Sequence, residues 1–109
     1  MTGKYRHGID SKGRLAIPAR LRDELGAAFY VTIGLEHSLM ILTEAGFTSI
    51  VEKMRSLPMA EAQKLRFFFA NALRCEPDKQ GRILLPQELR NYAHLTGNAV
   101  ILGFGDKAE

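Results

Sequence analysis

Tryptophan is absent from this chain of 109 residues, cysteine occurs once and proline only four times. A single thiol, Cys75, excludes an intramolecular disulfide framework. With no CxxC pair and no Cys/His cluster, a structural zinc site is not expected either. Long hydrophobic runs are also missing. The longest, residues 99–104, is far short of the ~20 residues that span a bilayer. The opening MTGKYRHG carries charge without an apolar stretch, so no signal peptide is expected and the expected compartment is the cytoplasm. What remains, 46% apolar and 25% charged residues, suits one small domain with enough core to fold unaided.

Net charge is small, at +3, but the charges are unevenly placed. Residues 4–22 hold six basic side chains (Lys4, Arg6, Lys12, Arg14, Arg20, Arg22) against one acid, Asp10, whereas the remainder is slightly acidic. A basic stretch interspersed with apolar residues points to a polyanion, and to nucleic acid before a lipid surface.

The chain repeats itself. HGIDSKGRLAIPARLR (residues 7–22) returns as CEPDKQGRILLPQELR (residues 75–90), identical at six of sixteen positions: Asp10/Asp78, Gly13/Gly81, Arg14/Arg82, Pro18/Pro86, Leu21/Leu89 and Arg22/Arg90. Two Asp, Gly, Arg and Pro sets in one spacing indicate a duplication. With one residue of slippage, residues 31–35 then lie over 100–104.

Each copy has a readable plan. Alternation at Tyr5, His7 and Ile9 predicts a strand. Residues 10–13 predict a turn, since Asp bonds the backbone ahead of it and Gly13 supplies a positive φ. A second strand covers 14–17, Pro18 opens a short helix that Gly26 closes, and strands follow at 29–34 and 38–42. The second copy repeats this with a strand at 73–77, a turn at 78–81, a strand at 82–85, a helix from 86 to about 94 and a strand at 98–104. The counterpart of 38–42 would begin near Lys107, so that last strand is expected to be missing. Between the copies, Phe47, Ile50, Val51 and Met54 form one helical stripe, Leu57-Pro58 breaks it, and Leu65, Phe68, Phe69 and Ala72 form another. The cluster Phe67-Phe68-Phe69 is too broad for one stripe, so its rings serve the core or a subunit contact. The expected class is α+β, mostly β: two pseudo-symmetric β-β-α-β(-β) halves interlocking hairpins into one small barrel, with two linking helices. The boundaries are 1–46, 47–73 and 74–109.

In that arrangement each turn presents an arginine. Asp10 lies across the hairpin from Arg14, and a carboxylate there can hold the guanidinium as a rigid fork for phosphate or for the O6/N7 edge of guanine. Spacing alone allows a plain hairpin clamp as well. The candidate DNA contacts are Asp10, Lys12, Arg14, Arg20, Arg22, Lys4 and Arg6. Asp78, Lys79, Arg82 and Arg90 form a weaker second set, because Glu76 and Glu88 dilute its charge and Gln80 stands where the first turn has Lys12. Asp10 and Asp78 could form a proton-sharing dyad of an aspartic-protease kind, but an Arg four residues on favours two ionised carboxylates. Cys75 aligns with His7, which suggests a Cys/His pair less readily than core packing. His37 and His94 are not at a metal-ligand spacing. No cofactor, metal or small-molecule substrate is expected.

The D-S-K-G-R-L-x-I-P-x-x-x-R and D-K-Q-G-R-I-L-L-P-x-x-L-R segments, the intervening R-F-F-F-A-N-A and the closing N-A-V-I-L-G-F-G resemble the MraZ family. That resemblance implies two AbrB-like swapped-hairpin halves and a nucleoid-associated regulator of transcription. It implies a ring-shaped homo-oligomer on double-stranded DNA, bound at short G-rich direct repeats upstream of the division and cell-wall gene cluster and usually repressing it. It places the DNA-contacting loop at Asp10, Lys12 and Arg14, with Asp78 and Arg82 as its second copy. The runner-up is an antitoxin-like interaction module, in which the linking helices capture a protein.

Overall fold

The computed structural model describes residues 1–34, 36–104 and 107–108, and of residues 67, 68, 102, 104 and 107 the backbone alone. The first copy supplies β1 (Thr2–Gly8), β2 (Arg14–Ala16), α1 (Ala19–Leu25), β3 (Phe29–Ile33) and β4 (Leu39–Thr43). Two helices follow, α2 (Glu44–Met54) and α3 (Met59–Phe69). The second copy then adds β5 (Leu73–Cys75), β6 (Arg82–Leu84), α4 (Gln87–Tyr92), β7 (Asn98–Phe104) and β8 (Lys107–Ala108). The class is α+β.

Strands of one copy pair with strands of the other: β1 antiparallel to β7, β5 to β3, β2 to β6 and β8 to β4. The main sheet runs β1-β7-β8-β4-β3-β5, and exchanging the two copies reverses this order onto itself. The internal repeat is thus a pseudo-twofold in space. Its inward faces make one core, with Leu15, Leu21, Phe29 and Val31 from the first copy meeting Ile83, Leu85, Leu89 and Ile101 from the second. Phe29 and Leu21 are fully sealed, a burial contributing about 1.5–3 kcal/mol for each such side chain.

Five expectations need correction. The barrel is not closed: β2 and β6 form a separate two-stranded ribbon, and β1 and β5 remain as edges of the main sheet. Strands β2, β5 and β6 have three residues each, too few to carry hydrogen bonding around a corner, and β1 meets β2 through a lone Ile9–Leu15 bridge. The last strand is not missing, since β8 begins at Lys107 and pairs with both β4 and β7. The slippage is two residues rather than one. His7 and Cys75 are equivalent in the repeat, and they oppose Ala99 and Phe29, so Phe29 corresponds to Ala99 and Val31 to Ile101. A one-residue slip would have turned the inward face of β7 outward; instead Ile101 is buried and Val100 is 42% exposed.

The prolines, finally, stand one position outside their helices. Pro18, Pro58 and Pro86 are the N-cap residues of α1, α3 and α4, in extended conformation and without a side-chain cap. Gly26 closes α1 at φ 88°, its N–H donating to the Arg22 carbonyl. Helix α4 stops at Tyr92, short of the expected end, and His94 takes a left-handed φ of 56° where the first copy has Gly26. Thr43 caps α2 by accepting the Gly46 N–H at 2.9 Å. The stripe of α2 is half-buried, with Phe47 stacked on Tyr30 at 3.9 Å and edge-on to Phe69 at 5.6 Å. The rings of Phe67 and Phe68 lie outside the described residues.

Candidate nucleic-acid interface

The two turns are built alike, atom for atom. In the first, Asp10 Oδ1 accepts the backbone N–H groups of Lys12 and Arg14, both at 2.9 Å, and Oδ2 accepts Arg14 Nε at 2.7 Å. In the second, Asp78 Oδ1 accepts from Gln80 and Arg82 at 2.9 Å, and Oδ2 accepts Arg82 Nε at 3.0 Å. Both turns close through a backbone bond from the glycine to the aspartate carbonyl, with Gly13 at φ 84° and Gly81 at φ 77°. One oxygen therefore orders the loop and the other orients the arginine. The backbone N–H of Arg14 is the main reason the Asp10 carboxyl lies below its ordinary range, against a smaller desolvation effect; Arg82 does the same for Asp78. Two ionised carboxylates, each holding a guanidinium, are the opposite of a proton-sharing dyad.

Each turn also rests on an arginine from the other copy. Arg22 donates Nε to the Ile17 carbonyl at 3.0 Å and lies over Gly81, where an added Cβ would come within 2.6 Å of its Cζ. Arg90 mirrors it on the Leu85 carbonyl and Gly13, at 3.0 and 2.9 Å. The backbone is tied at the same places, Ile17 N–H to the Gly81 carbonyl and Leu85 N–H to the Gly13 carbonyl. Arg22 and Arg90, both half-buried, thus lock the ribbon from beneath. A signal for this was in the repeat: Arg14 and Arg22 recur as Arg82 and Arg90, whereas Lys12 and Arg20 become Gln80 and Glu88.

Because β2 and β6 are antiparallel, with Arg14 opposite Leu84 and Ala16 opposite Arg82, the turns stand at opposite ends of the ribbon. Leu15 and Ile83 point into the core, which leaves Arg14, Ala16, Arg82 and Leu84 on the outer face. Arg14 is 34% exposed and, among the described residues, makes no other hydrogen bond with its terminal nitrogens. Arg82 bends toward the first turn, its Nη1 at 3.9 Å from Asp10 Oδ2. The four charges cancel, and exposed Arg20 is answered by exposed Glu88 in the second copy, so the positive excess at the turns comes from exposed Lys12 and Lys79. Lys4 and Arg6 are exposed but not gathered here: at about 3.3 Å per strand residue they lie roughly 20 and 13 Å from Asp10 along β1. Cys75 and His7 are also apart, on opposite edge strands, and burial pushes the Cys75 thiol up to about 11, making it unreactive near neutrality.

Fold and site together define a class: a duplicated swapped-hairpin protein that presents two aspartate-oriented arginines on a short ribbon. Comparison with known proteins narrows it. The family described as "MraZ protein, putative antitoxin-like" matches residues 1–67 and 68–109. The chain is 47% identical to proteins from Moorella thermoacetica and Carboxydothermus hydrogenoformans, and 46% identical to one from Desulforamulus reducens, each called "Transcriptional regulator MraZ". The alignments cover 98% of this chain and 77–78% of those proteins. The chain belongs to the MraZ family.

Proposed function

We propose that the protein is a transcriptional regulator that binds double-stranded DNA by laying the β2/β6 ribbon into the major groove. The observation that carries this reading is the pair of outward guanidiniums, each held in one orientation by its own carboxylate, beside exposed lysines. A two-stranded ribbon fits a groove about 12 Å wide, and an oriented guanidinium can grip guanine O6 and N7 together. Arg14 and Arg82 are the base-reading groups in this scheme, Lys12 and Lys79 the phosphate contacts, and Arg22 and Arg90 the supports. Arg20 flanks the first turn, and Lys4 and Arg6 extend the positive field along β1. The names of the relatives support regulation of transcription and argue against an enzyme.

The finer features follow from the family resemblance. We infer a cytoplasmic, nucleoid-associated homo-oligomer, a ring that sets several turns against short G-rich direct repeats and represses the division and cell-wall gene cluster. Residues 1–46 and 74–109 act as its two halves and 47–73 as the link. Among the described residues no helix is long and apolar enough to cross a membrane. One turn neutralising ~3 phosphates gives a log–log salt slope near −2.7, so a single contact is weak and repetition raises avidity by ~10²–10⁴. The test is titration of a repeat-containing duplex at two salt concentrations, with light scattering for subunit number. Arg14→Ala is expected to lose specific binding while assembling normally; unchanged affinity removes the proposed reader.

A further inference from the structure

The fold brings together two histidines that are 57 positions apart in sequence. His37 lies between β3 and β4 of the first copy, and His94 just beyond α4 of the second. Their ring centroids are 5.1 Å apart and their planes inclined by 44°. Both are exposed, and both sit in the left-handed region, at φ 58° and 56°. That backbone is unfavourable for a residue with a side chain, and the first copy uses Gly26, at φ 88°, where the second has His94. His37 is braced by the Tyr92 ring at 5.5 Å, and the Tyr92 hydroxyl donates to the Gly34 carbonyl at 3.1 Å. The left-handed backbone belongs to the local turns, Glu36–His37 between β3 and β4 and the end of α4, where Leu95 N–H donates to the Arg90 carbonyl at 2.9 Å. Neither turn requires that the two rings, carried by different copies, should meet.

The geometry points to a divalent transition-metal site formed by His37 and His94. With metal–nitrogen bonds of about 2.0–2.1 Å, two imidazoles on one ion at a near-tetrahedral angle have centroids ~5 Å apart, the separation seen here. Imidazole ligands select the zinc, copper and nickel group and not magnesium or calcium. Among the described residues no cluster of three or more His, Cys, Asp or Glu side chains is placed to hold an ion. Water therefore completes the shell, and the ion is exchangeable. Its effect is mechanical, pinning the β3–β4 connection of one copy to the helix end of the other, so that the pseudo-twofold halves are stapled together.

The experiment uses the untagged chain, with zinc chloride as the probe and magnesium chloride as the control, read by equilibrium dialysis and thermal unfolding. One zinc per chain is expected. At free zinc ~100 times the dissociation constant, the ratio of unfolded to folded protein falls about 100-fold. Magnesium is expected to do neither. His37→Ala and His94→Gly should both lose the bound zinc and the stabilisation. His94→Gly serves a second purpose: it restores the glycine of the first copy, so without zinc it should melt at or above the wild-type temperature, separating loss of a ligand from loss of the fold. Absence of zinc binding in the wild type, equal binding of magnesium, or zinc retained by either variant overturns the site.

Discussion

The first and second turns share every internal hydrogen bond and differ at nearly every position around it. Aspartate, glycine and arginine coincide, and so does the supporting arginine underneath. At the fringe, Ser11, Lys12, Ala16 and Arg20 of the first copy face Lys79, Gln80, Leu84 and Glu88 of the second. The shared residues are those whose atoms close the turn, and the divergent ones are those whose side chains only meet solvent or a partner. A clamp kept twice thus sets two arginines in equivalent frames, and the surroundings give the two frames different charge. The ribbon is symmetric in its backbone and polar in its surface, with Leu84, 59% exposed, opposite Arg14. Leu84 therefore stands at the first turn's end, so a bound duplex would meet Lys12, Arg14 and an exposed apolar side chain together there, and Arg82, Ala16 and Gln80 at the other end.

The sharpest way to break this contrast is to remove each reader in turn. A bidentate arginine–guanine contact is worth about 1–3 kcal/mol, and it multiplies when several subunits bind together. Arg14→Ala is therefore expected to weaken duplex binding by ~5- to 150-fold per contact. Arg82→Ala should cost less, because Arg82 also leans on Asp10 of the other turn. Fluorescence anisotropy with one labelled repeat duplex measures both. Equal losses would mean that the fringe does not matter and the two turns read alike.

A smaller effect comes from exchanging the fringe charges while leaving both clamps intact. Lys12→Gln gives the first turn the residue of the second, and Gln80→Lys does the reverse. If Lys12 touches phosphate, its loss lowers affinity for all sequences alike and reduces the salt slope by about 0.9. Gln80→Lys should steepen the slope by a similar amount. Salt titrations on specific and random duplexes decide it: a change confined to the specific duplex would move Lys12 from phosphate contact to base reading.

Much of this contrast was legible in the residues, because it is local. The Asp-x-x-x-Arg hairpin needs only an Asx turn, a left-handed glycine and a strand of the right length, and all three are written in six residues. The linking helices announced themselves by spacing, with Leu57-Pro58 as the break. What could not be read depends on distance. The Arg22 and Arg90 contacts exist only once one copy's helix lies under the other copy's turn. The register of β7 turned on whether the loop after α4 holds one extra residue or two, and parity alone reverses the face. Pairing of β8 with β4, from opposite halves of the chain, gave the second copy a last strand that its short length had hidden. The His37–His94 contact joins two loops from different copies, where spacing along the chain carries no information.

The smallest expected effect tests whether the clamps are electrostatic in both turns. Asp10 and Asp78 both have carboxyls held below the ordinary value by the arginine N–H groups they accept. The unfolded chain therefore binds more protons than the native one as pH falls past about 3.9, the ordinary aspartate value. Each carboxylate contributes its full stabilisation above that pH and loses it as pH drops through the lower native value. Asp10→Asn and Asp78→Asn keep an oxygen acceptor but no charge, so each should be less stable than wild type at pH 7. The differences should shrink toward zero in strong acid, where the wild-type carboxyls are themselves neutral. Urea unfolding of the three proteins from pH 7 down to the lowest pH at which all remain folded measures the convergence. Should one variant keep its full deficit in acid, that turn is held by the shape of its aspartate rather than by its charge, and the two clamps are alike in form only.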